Sequence, residues 1–161
     1  MTSWTDGGPG PPRRGPGAPP ETSALILVDT GHSSRCSTRR TTSIQRCRRS
    51  LQRIGEPIVT TVPVLTEAFH MLSPESIGSN RLRDFIEKGG LSVWFFEATA
   101  LTHAFELMEV YADHPMDLAD ASLIVAAEAM GIRKVFAIDR KDFQTYRIRR
   151  GHRSYPVEIV P

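Results

Sequence analysis

The chain has 161 residues, 40% of them apolar, which suits one domain with a real core. No apolar run approaches the ~20 residues of a membrane span, and the N-terminus has no apolar signal core, so the sequence argues against export and predicts a cytoplasmic protein. The net charge is only +2, which excludes a uniformly polybasic chain and directs attention to where the charges lie.

Residues 1–22 hold half of the twelve prolines and five of the twelve glycines. Such a stretch cannot bury enough surface to offset its ordering entropy, so a disordered tail is expected, with the domain running over 23–161. Ala24-Leu25-Ile26-Leu27-Val28 is an apolar run too short for a helix and predicts a buried strand that stops at Asp29. Residues 32–54 then form an atypical basic segment. Between Asp29 and Glu56 there is no acid, while Arg35, Arg39, Arg40, Arg46, Arg48, Arg49 and Arg53 accumulate. Cys36 and Cys47 lie in this polar stretch at a spacing that fits no CxxC or zinc pattern and are read as reduced thiols.

Ile58-Val59 reads as a short second strand. Thr61 is expected to cap a helix with Pro63 in its first turn, whose apolar stripe is Val64, Leu65, Ala68, Phe69 and Leu72, with Glu67 on the flank. Ser79 or Asn80 is expected to start a small helix that Gly89-Gly90 ends, and Leu91–Phe95 predicts another strand. Thr99 opens an amphipathic helix expected to turn Leu101, Ala104, Phe105, Met108 and Ala112 toward the core. Pro115 and Asp117 begin an Ala-rich helix through Met130, closed by Gly131 as a left-handed cap. Val135-Phe136-Ala137-Ile138 is a last buried strand, stopping at Asp139.

The alternation of strand and helix predicts an α/β protein, a parallel sheet flanked by helices on both faces. In such a sheet, ligand chemistry sits outside the carboxyl ends of the strands, where Asp29 and Asp139 would share one crevice. Asp117 and Asp120 are three apart and can lie on one face of a helix N-terminus. The bland reading of each acid is real, since Asp caps helices and complements their dipole, and an isolated helix Glu is ordinarily exposed. Repetition of acids at element ends is what suggests a divalent-cation site. A second basic stretch, Arg133, Lys134, Arg140, Lys141, Arg147, Arg149, Arg150 and Arg153, would suit a polyanionic substrate, although for any one arginine a solvated face is the better reading.

With these residues in place the chain resembles PIN domains of the VapC type, the toxin ribonucleases of bacterial toxin-antitoxin modules. The resemblance covers residues 24–31 and 55–161. It rests on Leu27-Val28-Asp29-Thr30-Gly31, on Val59 through Ala68, on Met116-Asp117-Leu118-Ala119-Asp120-Ala121-Ser122-Leu123, and on Ile138-Asp139-Arg140-Lys141-Asp142-Phe143. It implies a PIN-like fold and a metal-dependent ribonuclease. Asp29, Glu67, Asp120 and Asp139 would match the family's acidic quartet around Mg2+ or Mn2+, with Asp117 and Asp142 as accessory acids. It further implies an RNA substrate, a cognate antitoxin protein and a homodimer, with no membrane. Hard oxygen ligands suit these cations.

The chain departs from the family in residues 32–54, where an apolar first helix is expected. His32 to Ser43 is instead Ser-, Thr- and Arg-rich. With G- or C-ending codons chosen for Gly31 to Thr38, reading one base early restores Ala-Leu-Val-Ala-Leu-Leu-Asp, so a frame error is one expectation. The competing reading is a degenerate, weakly active or inactive PIN domain that binds RNA or a partner. An aspartyl-phosphate phosphatase ranks below both, because Asp29-Thr30-Gly31 lacks the second nearby Asp.

Overall fold

The structure, a computed structural model, describes residues 25–29, 55–114, 116–137 and 140–160. The proposed tail, the basic segment 32–54 and Asp139 lie outside the described residues. In chain order the elements are β1 (Ile26–Val28), β2 (Ile58–Thr61), α1 (Val62–Met71), α2 (Ile77–Glu87), β3 (Ser92–Trp94), α3 (Ala98–Val110), α4 (Leu118–Met130), β4 (Lys134–Phe136), α5 (Arg140–Thr145), β5 (Arg147–Arg150), β6 (Arg153–Pro156) and β7 (Glu158–Val160).

β3, β2, β1, β4 and β7 form a five-stranded sheet in that order, and every pairing is parallel. β1 is central because its residues are apolar on both faces, as a strand covered from both sides must be. Ile26 and Val28 join Ile58, Leu91 and Phe136 on one face, against Leu65 of α1 and Leu82 and Ile86 of α2. Leu25 and Leu27 join Val59, Val135 and Ala137 on the other, against Ala104 and Leu107 of α3 and much of α4. The expected parallel α/β sheet with helices on both faces is therefore present.

α4 is the element on which the larger face is built. Ala119 and the whole run from Ala121 to Ala127 are buried, and its alanines let the helix axis lie close to neighbours while favouring helix intrinsically. Asp117 is its N-cap, accepting from the Asp120 N–H at 2.9 Å, and Gly131 closes it at φ 66. A Cβ at position 131 would stand 2.8 Å from Arg150 Nη2, whose guanidinium donates to the Gly131 carbonyl. Gly131→Ala is therefore expected to cost about 1 kcal/mol or more, read as a lowered denaturation midpoint. An unchanged midpoint would show that the left-handed cap tolerates a side chain.

Several local expectations are corrected. Thr61 is the N-cap residue of α1 by position, but its side chain makes no cap bond. Its hydroxyl is instead paired with Ser122 Oγ at 2.5 Å. α2 starts at Ile77, not at Ser79 or Asn80, because Ser76 caps it by accepting from the Ser79 N–H. In α3 the buried positions are Ala104 and Leu107, with Ala100, Met108 and Tyr111 packed against the core. Leu101 is 36% and Phe105 50% exposed, and Ala112 is exposed as well. The stripe was drawn one helical position away, since Ala100, Ala104, Leu107 and Tyr111 share a face as well as the larger residues do.

The C-terminal region holds elements the sequence reading did not anticipate: α5, the antiparallel β5–β6 hairpin, and β7, which returns beside β4 as an edge strand. The hairpin packs its buried Ile148 toward α4 and turns at Gly151, φ 58.

Across α3 and α4, His103 stands between two carboxylates, with Nδ1 3.2 Å from Glu106 Oε2 and Nε2 2.7 Å from Glu128 Oε2. Glu128 Oε1 also accepts the Arg149 N–H at 2.7 Å, which ties the hairpin to the same clasp. Burial alone would lower the imidazole's pKa, but the two carboxylates outweigh it and hold the pKa above 6.5. A raised folded-state pKa contributes stability that is full below the unfolded value and is lost as pH rises through the folded one. Stability is therefore expected to decline as pH rises from about 6.5 upward, with a shallower decline in His103→Gln, measured by denaturation at pH 6 and pH 9. Identical slopes in the two proteins would remove His103 as the source.

Candidate active site

Asp29 and the N-terminal turn of α4 lie at the edge where the parallel strands end. Asp29 closes β1, is 1% exposed, and donates its N–H to the Phe136 carbonyl at 2.8 Å. Beside it, Thr60 Oγ1 donates to the Val28 carbonyl at 3.0 Å. The next residue, Thr61, is bonded to Ser122, and Ser122 Oγ lies 2.6 Å from the Ala119 carbonyl in the first turn of α4. A buried hydroxyl pair thus stitches the ends of β1 and β2 to the helix that begins with Asp117 and Asp120. This explains why Thr and Ser, rather than further apolar residues, stand there, since each hydroxyl meets an acceptor inside a dry junction.

Asp120 is strongly perturbed. Its carboxyl is pushed up to about 7, first by burial and then by the negative charge of Asp117, with Asp142 and Glu67 adding to the push and the Tyr146 hydroxyl opposing it. Glu67, six residues into the chain after β2, is raised by burial and by Asp117. Asp142 lies in the first turn of α5. Glu67, Asp117, Asp120 and Asp142 are therefore close enough to feel one another, although they come from three helices. Asp117 serves both readings at once, since one of its oxygens caps α4 while its charge acts on Asp120 and Glu67.

Among the described residues, no three His, Cys, Asp or Glu side chains are grouped closely enough to hold a metal ion. The remaining member of the expected quartet, Asp139, lies outside those residues. What is present fits a hard divalent cation in the chemistry of its donors, which are all carboxylates, two of them, Asp120 and Glu67, raised in pKa first by burial and then by the charge of Asp117.

Tyr146 is the residue the sequence reading missed. It is 1% exposed, and its hydroxyl donates to Asp120 Oδ2 at 3.0 Å. Burial and then the charge of Asp120 drive its pKa upward, so the phenol stays a donor. The one local signal was an aromatic three residues beyond Phe143 in a segment otherwise rich in charge; nothing local pointed to a partner in α4.

The second basic stretch divides. Arg147 Nη1 donates to the carbonyls of Gln144, Thr145 and Tyr146. Arg150 binds the Gly131 carbonyl, Arg133 lies over the Tyr155 ring at 5.1 Å, and Lys134 pairs with Glu56 at 2.9 Å. These four hold the fold together. Arg140, Arg149 and Arg153 are exposed side chains on the outer surface.

No protein-family model matches the sequence, and no curated protein matches it. Among solved structures, the fold is similar to the crystal structure of Mycobacterium tuberculosis VapC20, a Sarcin-Ricin loop cleaving toxin. The TM-score is 0.55 at 19% identity, over 73% of this chain and 92% of that one. At that identity the likeness speaks for the fold alone. No helix among the described residues is long and apolar enough to cross a membrane. The parallel sheet, its helical layers and this structural likeness together show that the chain has a PIN-like α/β fold of the VapC kind.

Proposed function

We propose that this chain is a metal-dependent ribonuclease of the PIN type, the toxin of a toxin-antitoxin pair. What supports the reading is that the charges of Asp117, Asp142 and Glu67 act on Asp120 in the first turn of α4, which the Thr61–Ser122 pair holds against the carboxyl edge of a PIN-like sheet whose central strand ends in Asp29. The ligand set would be Asp29, Glu67, Asp120 and Asp139, supported by Asp117 and Asp142. A bound Mg2+ or Mn2+ would polarise the phosphodiester and lower the pKa of a water for in-line attack. The chain's own part is to hold carboxylates in place: Asp117 fixes the backbone at Asp120, Tyr146 fixes its side chain, and the Thr61–Ser122 pair fixes α4 against the strand ends. Exposed Arg140, in the same first turn of α5 as Asp142, suits a phosphate flanking the scissile bond. The neighbour's description as a toxin that cleaves the Sarcin-Ricin loop supports a structured RNA as substrate. By the same reading the protein acts in the cytoplasm, forms a homodimer and is restrained by an antitoxin protein.

The composition of residues 32–54 favours a second reading, an RNA- or partner-binding PIN domain without cleavage, because a polar, basic segment stands where the family has an apolar helix. One experiment separates the two: the purified full chain is incubated with a stem-loop RNA, with Mn2+ or with chelator, beside Asp120→Asn. Cleavage that needs the cation and Asp120 supports the nuclease. Tight RNA binding with no cleavage under any cation supports the binding module.

A further inference from the structure

Asp120 is held by two different devices. Its backbone N–H is fixed by Asp117 Oδ1 at 2.9 Å, and its side chain is met by the Tyr146 hydroxyl at Oδ2, 3.0 Å away. The phenol has little freedom to leave. Its ring is packed edge-on against Tyr111 at 5.1 Å and against Phe143 at 5.5 Å, and Tyr111 in turn accepts the Arg147 N–H at 3.1 Å. Arg147 closes the arrangement by gripping the carbonyls of Gln144, Thr145 and Tyr146 itself. A phenylalanine would fill the same aromatic space, so the hydroxyl is the part of Tyr146 that packing does not require.

We infer that Tyr146 is a positioning residue for Asp120, its hydroxyl binding Oδ2 and so holding in one orientation a carboxylate that would help to hold a divalent cation. This rests on the reading of Asp120 as a metal ligand. A carboxylate bonded on one oxygen loses rotational freedom before the cation arrives, and partners of this kind ordinarily change metal affinity by roughly 10- to 100-fold.

The test is Mn2+ titration calorimetry on the full chain and on Tyr146→Phe, Asp120→Asn and the double variant, with Tyr155→Phe, in β6, as a control for the loss of a phenol hydroxyl. Tyr146→Phe is expected to bind Mn2+ about tenfold or more weakly, with kcat on RNA lowered and KM unchanged. In the Asp120→Asn background the same change is expected to add nothing, because the two side chains act as one unit. Tyr155→Phe is expected to keep wild-type affinity. Wild-type affinity in Tyr146→Phe, or an equal loss with and without Asp120, overturns the inference while leaving Asp120 as a ligand. Wild-type affinity in Asp120→Asn overturns the ligand reading itself.

A measurement on the unmutated protein guards against a variant that folds badly. The chain has three tyrosines, so carbon-ζ labelling gives three resonances. That of Tyr146 is expected to move on Mg2+ titration while that of Tyr155, in β6, stays in place. An unmoved Tyr146 resonance at saturating Mg2+ would equally overturn the inference.

Discussion

Asp120→Asn is expected to lower cation-dependent RNA cleavage by at least about a hundredfold, since even residues that only support a ligand account for roughly 10- to 100-fold. The same variant is expected to be no less stable than wild type when metal is absent. Asn keeps an oxygen for the Tyr146 hydroxyl, and it removes one charge from a group in which Asp117, Asp142 and Glu67 all disfavour the ionised form. The paired measurement matters: cleavage rates with Mn2+ beside melting temperatures in chelator. A variant that cuts as well as wild type would sink the assignment of Asp120. A variant that loses both activity and stability would mean that Asp120 is a structural acid.

Leu123→Ala is expected to have the largest effect on stability, about 2–5 kcal/mol, with a melting temperature lower by about 4–20 °C. Leu123 is 0% exposed and lies in the buried run of α4, in the cluster that joins β1, β2 and β4 to α3. Its neighbours in that run include Ala121, Ala126 and Ala127, whose methyl groups are fixed to the backbone and cannot swing into the space left behind. A loss below 1 kcal/mol would show that the helix can shift and close the cavity.

The two predictions share one element, because α4 supplies both the core and the acids. Its N-terminal turn faces the strand ends, with Asp117 and Asp120, while the next two turns are buried. A site built this way is positioned by packing, and a change in the core at Leu123 would move Asp120 as well as destabilise the chain.

Much of this was legible in the chain itself. The run from Leu25 to Val28 is apolar at every position, which only a strand buried on both faces requires, and that one segment points to a parallel sheet. Asp117 and Gly131 mark the ends of α4 by residue type, because an N-cap acceptor and a left-handed cap are local chemistry. The placing of acids at element ends was likewise readable, and the charges of Asp117, Asp142 and Glu67 all act on Asp120, although no three described His, Cys, Asp or Glu side chains are grouped closely enough to hold a metal ion. What depends on distance along the chain was not legible. Thr61 has the sequence of a helix cap, yet its hydroxyl turns to Ser122, 61 residues away, because a dry junction between strand end and helix offers a partner that outcompetes the local N–H. Leu101 and Phe105 have the pattern of a core stripe but are exposed, since the face of α3 was chosen by the close approach that small Ala104 allows to α4. Tyr146 reads as one aromatic among many. Only the path of the chain through α5 brings its hydroxyl to Asp120, 26 residues earlier. Local propensity and periodicity therefore determined the elements and the kind of side chain at their ends; the tertiary structure decided which of those side chains meet, because that depends on how buried faces compete for one another and not on any window of sequence.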